Sequence, residues 1–210
     1  MYHYSQSASS NPSALPPKHL ESAYAKTLTN EHVLAGSATA VAVSMTGTGS
    51  LNGINLGDSG LTILRKAQPV FHTASQTHYF NCPYQLTKHP VGQAEANLVT
   101  DLPTSADEFK FTLEPNDLVI MYTDGLSDNV PLEHLPILYN SVSQLLEMPE
   151  NSHLSPQDKD AERARIMADV LVAYGRMAMT RKGDEPGWKT PFELEAKKHG
   201  YDFKGGKVDE

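Results

Sequence analysis

Cysteine is almost absent from this chain, since Cys82 is the only one among 210 residues. A single cysteine cannot close an internal disulfide, which excludes a disulfide-built secreted scaffold and favours a reducing compartment. Long apolar runs are also missing, and none approaches the roughly 20 residues that a helix needs to cross a bilayer. The N-terminal residues, Met1 to Ser7, have neither a basic region nor an apolar core. No targeting peptide is therefore visible in the sequence.

The composition is that of an ordinary globular protein, with 39% hydrophobic and 20% charged residues. A chain of this length buries about 70% of the surface that its unfolded form exposes, so its core does not depend on a disulfide or a structural metal. Disorder along the whole chain is excluded. The sequence therefore predicts one ordinary domain or two small ones.

The net charge of −8 is unevenly distributed along the chain. Residues 1–105 carry five Lys and Arg against five Asp and Glu, whereas residues 106–210 carry twelve against twenty. Proteins bind a nucleic acid largely by neutralising phosphates with Lys and Arg, so nucleic acid is excluded as a partner. The acidic half suits divalent cations better.

The hydrophobic pattern predicts strands first and helices later, which is an α+β order. Residues 1–17, rich in Ser, Pro and Asn, are predicted to form a disordered tail, and residues 18–210 to form the domain. A short helix follows from Pro17. Strands are predicted over 38–45, 51–56, 61–65 and 117–123, the last of them buried on both faces, and helices over 132–146, 156–179 and 190–199.

Acidic residues follow two of these strands. Asp124-Gly125 ends the apolar run and is followed by Asp128-Asn129, so carboxylate and amide oxygens gather at the end of that strand. Hard divalent cations prefer such oxygens. Asp-Gly is also a favoured two-residue turn, and by itself this motif fits a turn better than a metal site. Asp58, in Gly57-Asp58-Ser59-Gly60, has the same two interpretations.

Four motifs occur in a characteristic order: Gly36-Ser37-Ala38-Thr39-Ala40, Asn55-Leu56-Gly57-Asp58-Ser59-Gly60, Tyr122-Thr123-Asp124-Gly125-Leu126-Ser127-Asp128-Asn129 and Gly205-Gly206-Lys207-Val208-Asp209-Glu210. Together they resemble the metal-dependent type 2C (PPM) protein serine/threonine phosphatases, from about Gly36 to Glu210. The segment from His78 to Leu86 resembles the mitochondrial branch of that family.

The resemblance implies a β-sandwich of two antiparallel sheets flanked by helices, with a dinuclear Mn²⁺ or Mg²⁺ centre. It places Asp124 and Asp209 among the metal ligands and Asp58 at an additional, weaker metal site. Two cations about 3.5–4 Å apart activate a water for attack on a phosphate, so the implied reaction is hydrolysis of phosphoserine or phosphothreonine in phosphoproteins. The implied location is mitochondrial.

The sequence also departs from the family. The resemblance calls for an earlier Asp-Gly-x-Gly-Gly motif whose aspartate bridges both metals, but Asp124-Gly125 is the only Asp-Gly in the chain. We therefore expect a partial domain, truncated at both ends, without the first metal-site strand and the last strand. Weak or absent activity is expected from these residues alone.

A second hypothesis is a non-catalytic phosphatase-like module that binds a phosphoprotein. The missing metal motif favours it. The sequence names neither a particular substrate nor an oligomeric state, because phosphoprotein specificity lies in surface loops.

Overall fold

The computed structural model describes residues 1–11, 13–90 and 99–208. They divide into two compact units, one formed by residues 1–59 and 73–114 and the other by residues 60–72 and 115–210. Each unit is described below by itself. No helix in the described part of the chain combines the length and the apolar character that a membrane span requires.

Ten strands and six α-helices, with short 3-10 turns, make up the regular structure of the described residues. The strands are β1 (Gly36–Ala38), β2 (Ala40–Met45), β3 (Ser50–Leu56), β4 (Gly60–Arg65), β5 (Gln68–His72), β6 (Thr77–Tyr79), β7 (Cys82–Pro83), β8 (Leu86–Lys88), β9 (Asp107–Thr112) and β10 (Leu118–Tyr122). The helices are α1 (Tyr2–Ser10), α2 (Pro16–Thr29), α3 (Asp124–Ser127), α4 (His134–Leu146), α5 (Pro156–Met179) and α6 (Pro191–Lys198). Antiparallel sheets with helices confirm the predicted α+β class.

The first unit is built on the antiparallel sheet β2-β3-β9. The predicted hairpin is present, with Ala40 opposite Leu56 and Met45 opposite Leu51. β3 lies in the middle of this sheet, and its Leu51, Ile54 and Leu56 are fully buried. Two-stranded pairs, β1 with β8 and β6 with β7, complete the strands of this unit.

The N-terminal segment differs from the predicted tail. Residues Tyr2–Ser10 form α1, in a segment where the sequence predicted disorder. Its contacts with α2 explain the difference: Ser7 Oγ lies 3.1 Å from Nδ1 of the buried His19, and the Tyr4 ring packs edge-on against the same imidazole. A composition argument could not detect these contacts because they involve polar side chains.

Gly57 allows the chain to turn sharply at the end of β3. Its φ of +95° lies in the left-handed region, which favours glycine. A Cβ at this position would approach the Thr39 side chain and the Tyr84 carbonyl oxygen to 2.5 Å. The following strand, β4, does not extend the β2-β3 hairpin but pairs with β5 and β10.

The second unit contains the antiparallel sheet β10-β4-β5. β4 is its central strand, and every residue from Gly60 to Leu64 is buried. The prediction that the 117–123 strand is buried on both faces is wrong, because only Ile120 of β10 is buried. Within the described residues β10 pairs with β4 alone. β10 and α5 line an open apolar groove of about 570 Å³, which leaves Met121 exposed.

Helices α4 and α5 pack with this sheet to form the main hydrophobic core. Its buried members are Leu64, Ile120, Val130, Leu135, Val142, Leu146, Met167, Leu171 and Ala178. All three helices predicted for the final third are present, within two residues at each end. Helical spacing was reliable here because each of these helices buries one face.

The last turn of α4 supplies a direct test of this core. Leu146 is 1% exposed, whereas its neighbour Leu145 is 46% exposed. Leu146→Ala is expected to lower the free energy of unfolding by about 2–5 kcal/mol, because it removes buried methyl groups and leaves a cavity. Leu145→Ala should cost less than about 1 kcal/mol. Urea unfolding of both variants measures the difference, and equal losses would contradict this packing.

Candidate functional site

Asp124 lies directly beyond the apolar strand of the second unit. β10 ends at Tyr122, Thr123 has extended backbone, and α3 begins at Asp124. The interpretation of Asp124-Gly125 as a hairpin turn is therefore wrong, since the strand leads into a helical turn. Asp128 follows one turn later, and residues with this spacing share a helix face. The two carboxylates consequently point to the same side.

The ammonium of Lys207 lies between these carboxylates. Its Nζ atom donates to Asp124 Oδ2 at 2.9 Å and to Asp128 Oδ2 at 2.6 Å. The lysine side chain is 18% exposed and each aspartate side chain 25% exposed. Burial lowers the pKa of Lys207, but the hydrogen bonds and charges of Asp128 and Asp124 together outweigh it and raise that pKa above its usual value. The ammonium is therefore firmly protonated.

Asn129 fixes the backbone of Lys207. Its amide nitrogen Nδ2 donates to the carbonyl oxygens of Lys207 at 2.9 Å and Gly125 at 3.1 Å. Its carbonyl oxygen Oδ1 accepts from the Lys207 N–H at 2.8 Å. The Asn129 side chain is fully buried, so each of these polar groups would lose its protein partner without gaining water. These three hydrogen bonds, called the Asn129 clamp below, join the C-terminal segment around Lys207 to the end of α3.

Helix α6 holds the same segment from another side. Thr190 is the N-cap of this helix, because Thr190 Oγ1 accepts from the Glu193 N–H at 3.2 Å. The Thr190 hydroxyl also donates to the Gly205 carbonyl at 2.6 Å, and Glu193 Oε2 accepts from the Gly205 N–H at 3.0 Å. Both side chains are buried. The cap residues of α6 therefore position the residues that lead to Lys207.

Asp58 and Asp209 are the other two residues predicted as metal ligands. Asp58 belongs to the first unit, where it follows Gly57 and is half-buried. Next to it, Ser59 and Thr39 share a hydroxyl hydrogen bond of 2.7 Å. Asp209 lies outside the described residues. The structure thus brings Asp124 together with Asp128, whose oxygens the sequence had also indicated.

The donor atoms around Asp124 suit a divalent cation in kind. Two carboxylates converge on one cation position, and oxygen is the ligand atom that Mn²⁺ and Mg²⁺ accept readily. Within residues 1–11, 13–90 and 99–208, no three His, Cys, Asp or Glu side chains cluster in a way that could hold a metal ion. Asp124 and Asp128 alone therefore supply fewer ligands than a metal site needs, although their oxygens are of the right kind for part of one.

Sequence reasoning did not predict the parts played by Lys207 and Asn129. Lys207 stands in the last family-like motif, but its sequence position gives no sign that it reaches Asp124. Asn129 was noted only for its side-chain oxygen. Its contact with Lys207 joins residues far apart in the chain, and a single sequence carries no signal for such a contact.

Known proteins resemble the chain along most of its length. It is 32% identical over 194 residues to the protein phosphatase PTC7 homologs of Xenopus laevis and of Homo sapiens, with 91% of this chain matched. It is also 32% identical over 176 residues to the probable protein phosphatase 2C 55 of Arabidopsis thaliana, covering 83% of this chain and 32% of that protein. The chain spans 58% and 57% of the frog and human relatives.

A solved structure shares the fold. The photosystem II phosphatase PBCP matches with a TM-score of 0.69 and 26% identity, covering 100% of this chain and 73% of that one. No family profile matches the chain. The relatives and the fold together show that the chain belongs to the type 2C, or PPM, protein phosphatase family. The family expected from the four motifs is thus confirmed, and the PTC7 relatives fit the branch indicated by residues 78–86.

The Asn129 clamp can be tested by removing its side chain. Asn129→Ala deprives three backbone groups of their partner, and we expect a loss of at least about 2 kcal/mol in the free energy of unfolding. Hydrogen exchange at the Lys207 amide should also become faster. Asn151→Ala is the matched control, because Asn151 gives one exposed hydrogen bond to Leu145 and should cost less than about 1 kcal/mol. Similar losses in both variants would argue against the clamp.

The Glu193 carboxylate makes the free energy of unfolding depend on pH. Its hydrogen bond with Lys189 lowers its pKa below the ordinary value of 4.5; burial opposes this shift, and the Gly205 N–H reinforces it. A lowered folded pKa adds stability above pH 4.5 that disappears as the pH falls through that pKa. Glu193→Gln should therefore destabilise the protein at pH 7 and have much less effect at pH 3, as urea unfolding at both values would measure.

Glu195→Gln is the control for this effect. Glu195 also pairs with a lysine, Lys198, but solvent reaches both side chains and screens the pair. The pH-dependent loss should be smaller in Glu195→Gln than in Glu193→Gln. An equal loss at pH 3 and pH 7 for Glu193→Gln would mean that its charge does not contribute.

Proposed function

We propose that this chain carries part of the catalytic site of a protein phosphatase that hydrolyses phosphoserine and phosphothreonine with two bound Mn²⁺ or Mg²⁺ ions. The relatives that share 32% identity with it are named protein phosphatases. The observation that carries the proposal is the convergence of the Asp124 and Asp128 carboxylates on one cation position beyond β10. Carboxylate oxygens in such an arrangement are the usual ligands of catalytic Mg²⁺ and Mn²⁺.

In this proposal Asp124 and Asp209 hold the dinuclear centre and Asp58 belongs to a third, weaker metal site. When bound, two such cations lower the pKa of a water and stabilise the charge that develops on the phosphoryl group. Other residues of the chain hold the C-terminal segment beside Asp124. Asn129 keeps the C-terminal segment against α3, and the cap of α6 holds Gly205 in place. The resemblance of residues 78–86 supports a mitochondrial location.

The proposed reaction can be tested with a small aryl phosphate, which phosphatases hydrolyse without recognising a particular protein. Hydrolysis of an aryl phosphate by the purified chain, with Mn²⁺, with Mg²⁺ and with chelator, should be slow but metal-dependent. The rate is expected to be low because the Asp-Gly-x-Gly-Gly motif does not occur in these residues. Asp124→Asn should reduce the metal-dependent rate beyond the roughly 10–100-fold typical of changes outside the ligand shell.

Asp169→Asn serves as the control, because Asp169 is an exposed residue of α5 that pairs with Arg165. It should leave the rate unchanged. Metal-dependent turnover that Asp124→Asn leaves unchanged would contradict the catalytic proposal. A folded chain with no turnover in either metal would mean that these residues alone do not form a working site. Binding of a phosphoserine peptide by that inactive chain would then favour the non-catalytic module, which the missing motif already suggests.

A further inference from the structure

Lys207 is held in place by its backbone, which distinguishes it from a mobile surface lysine. Asn129 binds both its N–H and its carbonyl oxygen, and the preceding Gly206 N–H donates to the Arg181 carbonyl at 2.9 Å. Its Nζ atom also lies 4.9 Å from the centre of the Phe192 ring, within the range of a cation–π contact. These contacts hold the backbone of Lys207 within reach of Asp124 and Asp128, so that only the side chain remains to be ordered.

The ammonium takes up the negative charge that a metal ion would use. Its hydrogen bonds of 2.9 Å and 2.6 Å end on one oxygen of Asp124 and one of Asp128. A divalent cation bound to these carboxylates would lie within a few ångströms of a positive charge in a site that is mostly shielded from solvent. Like charges repel strongly at such distances when water does not screen them.

We infer that Lys207 is the resident counter-cation of Asp124 and Asp128 and that its ammonium competes with the divalent metal for these carboxylates. The inference rests on the proposed function, because it takes Asp124 as a metal ligand. Lys207 then sets the metal affinity of the site. It offsets one of the two aspartate charges and keeps the C-terminal segment docked when the metal is absent, and it must move aside when the metal binds.

Direct measurement of Mn²⁺ binding tests this inference without an activity assay. Electron paramagnetic resonance gives the Mn²⁺ dissociation constants of the 210-residue chain, of Lys207→Met and of Lys204→Met. Methionine keeps much of the lysine volume and removes the charge. Lys207→Met should bind Mn²⁺ about tenfold or more tightly, the effect that one neighbouring charge has on the proton affinity of a carboxylate. Lys204→Met should bind as the parent does, because Lys204 is exposed and pairs with Asp202.

A double variant shows whether the gain arises at this site. In the Asp124→Asn background, Lys207→Met should give less than about a third of its tenfold gain, because one of the two competing carboxylates is gone. A gain of the same size in both backgrounds would overturn the inference. It would mean that Lys207 affects Mn²⁺ only through the overall charge of the protein.

Thermal unfolding provides a second readout that a merely structural lysine would not produce. In chelator, Lys207→Met should have a lower midpoint than the parent, because two neighbouring carboxylates lose their counter-charge. Saturating Mn²⁺ should raise the midpoint of Lys207→Met more than that of the parent. A midpoint that falls in chelator and is not recovered by Mn²⁺ would overturn the inference, since Lys207 would then be structural only.

The failures of the two proposals can be told apart. An unchanged or weaker Mn²⁺ affinity in Lys207→Met, together with metal-dependent phosphate hydrolysis lost in Asp124→Asn, would overturn the inference and leave the proposed function in place. Absence of Mn²⁺ binding by the parent and by every variant would overturn the metal-dependent function and the inference with it.

Discussion

The hydrogen bonds between Asn129 and the backbone of Lys207 are the constraint on which the candidate site depends. They join α3, which starts directly after β10, to a segment nearly eighty residues further along the chain. Without them the C-terminal segment would lose its backbone contact with the end of α3, and the cap of α6 and the hydrogen bond of Gly206 to Arg181 would remain to hold it. Because Asn129 is fully buried, the clamp is protected from competing water. The neutral amide of Asn129 therefore positions the Lys207 ammonium next to the two carboxylates.

Two carboxylates and one ammonium group meet beside this clamp. Asp124 and Asp128 would repel each other on one face of α3, and Lys207 neutralises that repulsion at hydrogen-bond distance. Part of the acidity of the second half of the chain is thus used locally, because two of its aspartates meet at this site. In such a site a divalent cation would use the same carboxylate oxygens as the ammonium, which is the physical basis for competition between an ammonium and a metal.

Much of the fold followed from the sequence because its signals are local. The hairpin β2-β3 has alternating small and β-branched residues, and α4, α5 and α6 each bury one face, and α5 and α6 also begin at recognisable cap residues. What failed depended on distant partners. The sequence of β10 predicts a fully buried strand, but the burial of a strand depends on which strands pair with it. Helix α1 is stabilised by its contacts with α2, which the sequence does not show. The same limit applies to the site: Asp124 was identified from a motif, whereas its contact with Lys207 depends on the tertiary structure.

The motifs that led to the family also have a packing role, which helps to explain why their residues occur together. Gly60, at the end of the Asp58 motif, lies opposite Tyr122, at the start of the Asp124 motif, in the β4-β10 pair. A Cβ on Gly60 would come within 2.7 Å of the Tyr122 ring, so only glycine allows this aromatic side chain to lie across the strand. The Tyr122 hydroxyl then reaches Thr62 at 3.0 Å and ties β10 to the central strand. The position of Asp124 thus depends on a glycine in a separate motif, because that glycine makes room for the aromatic residue that ends β10 just before Asp124.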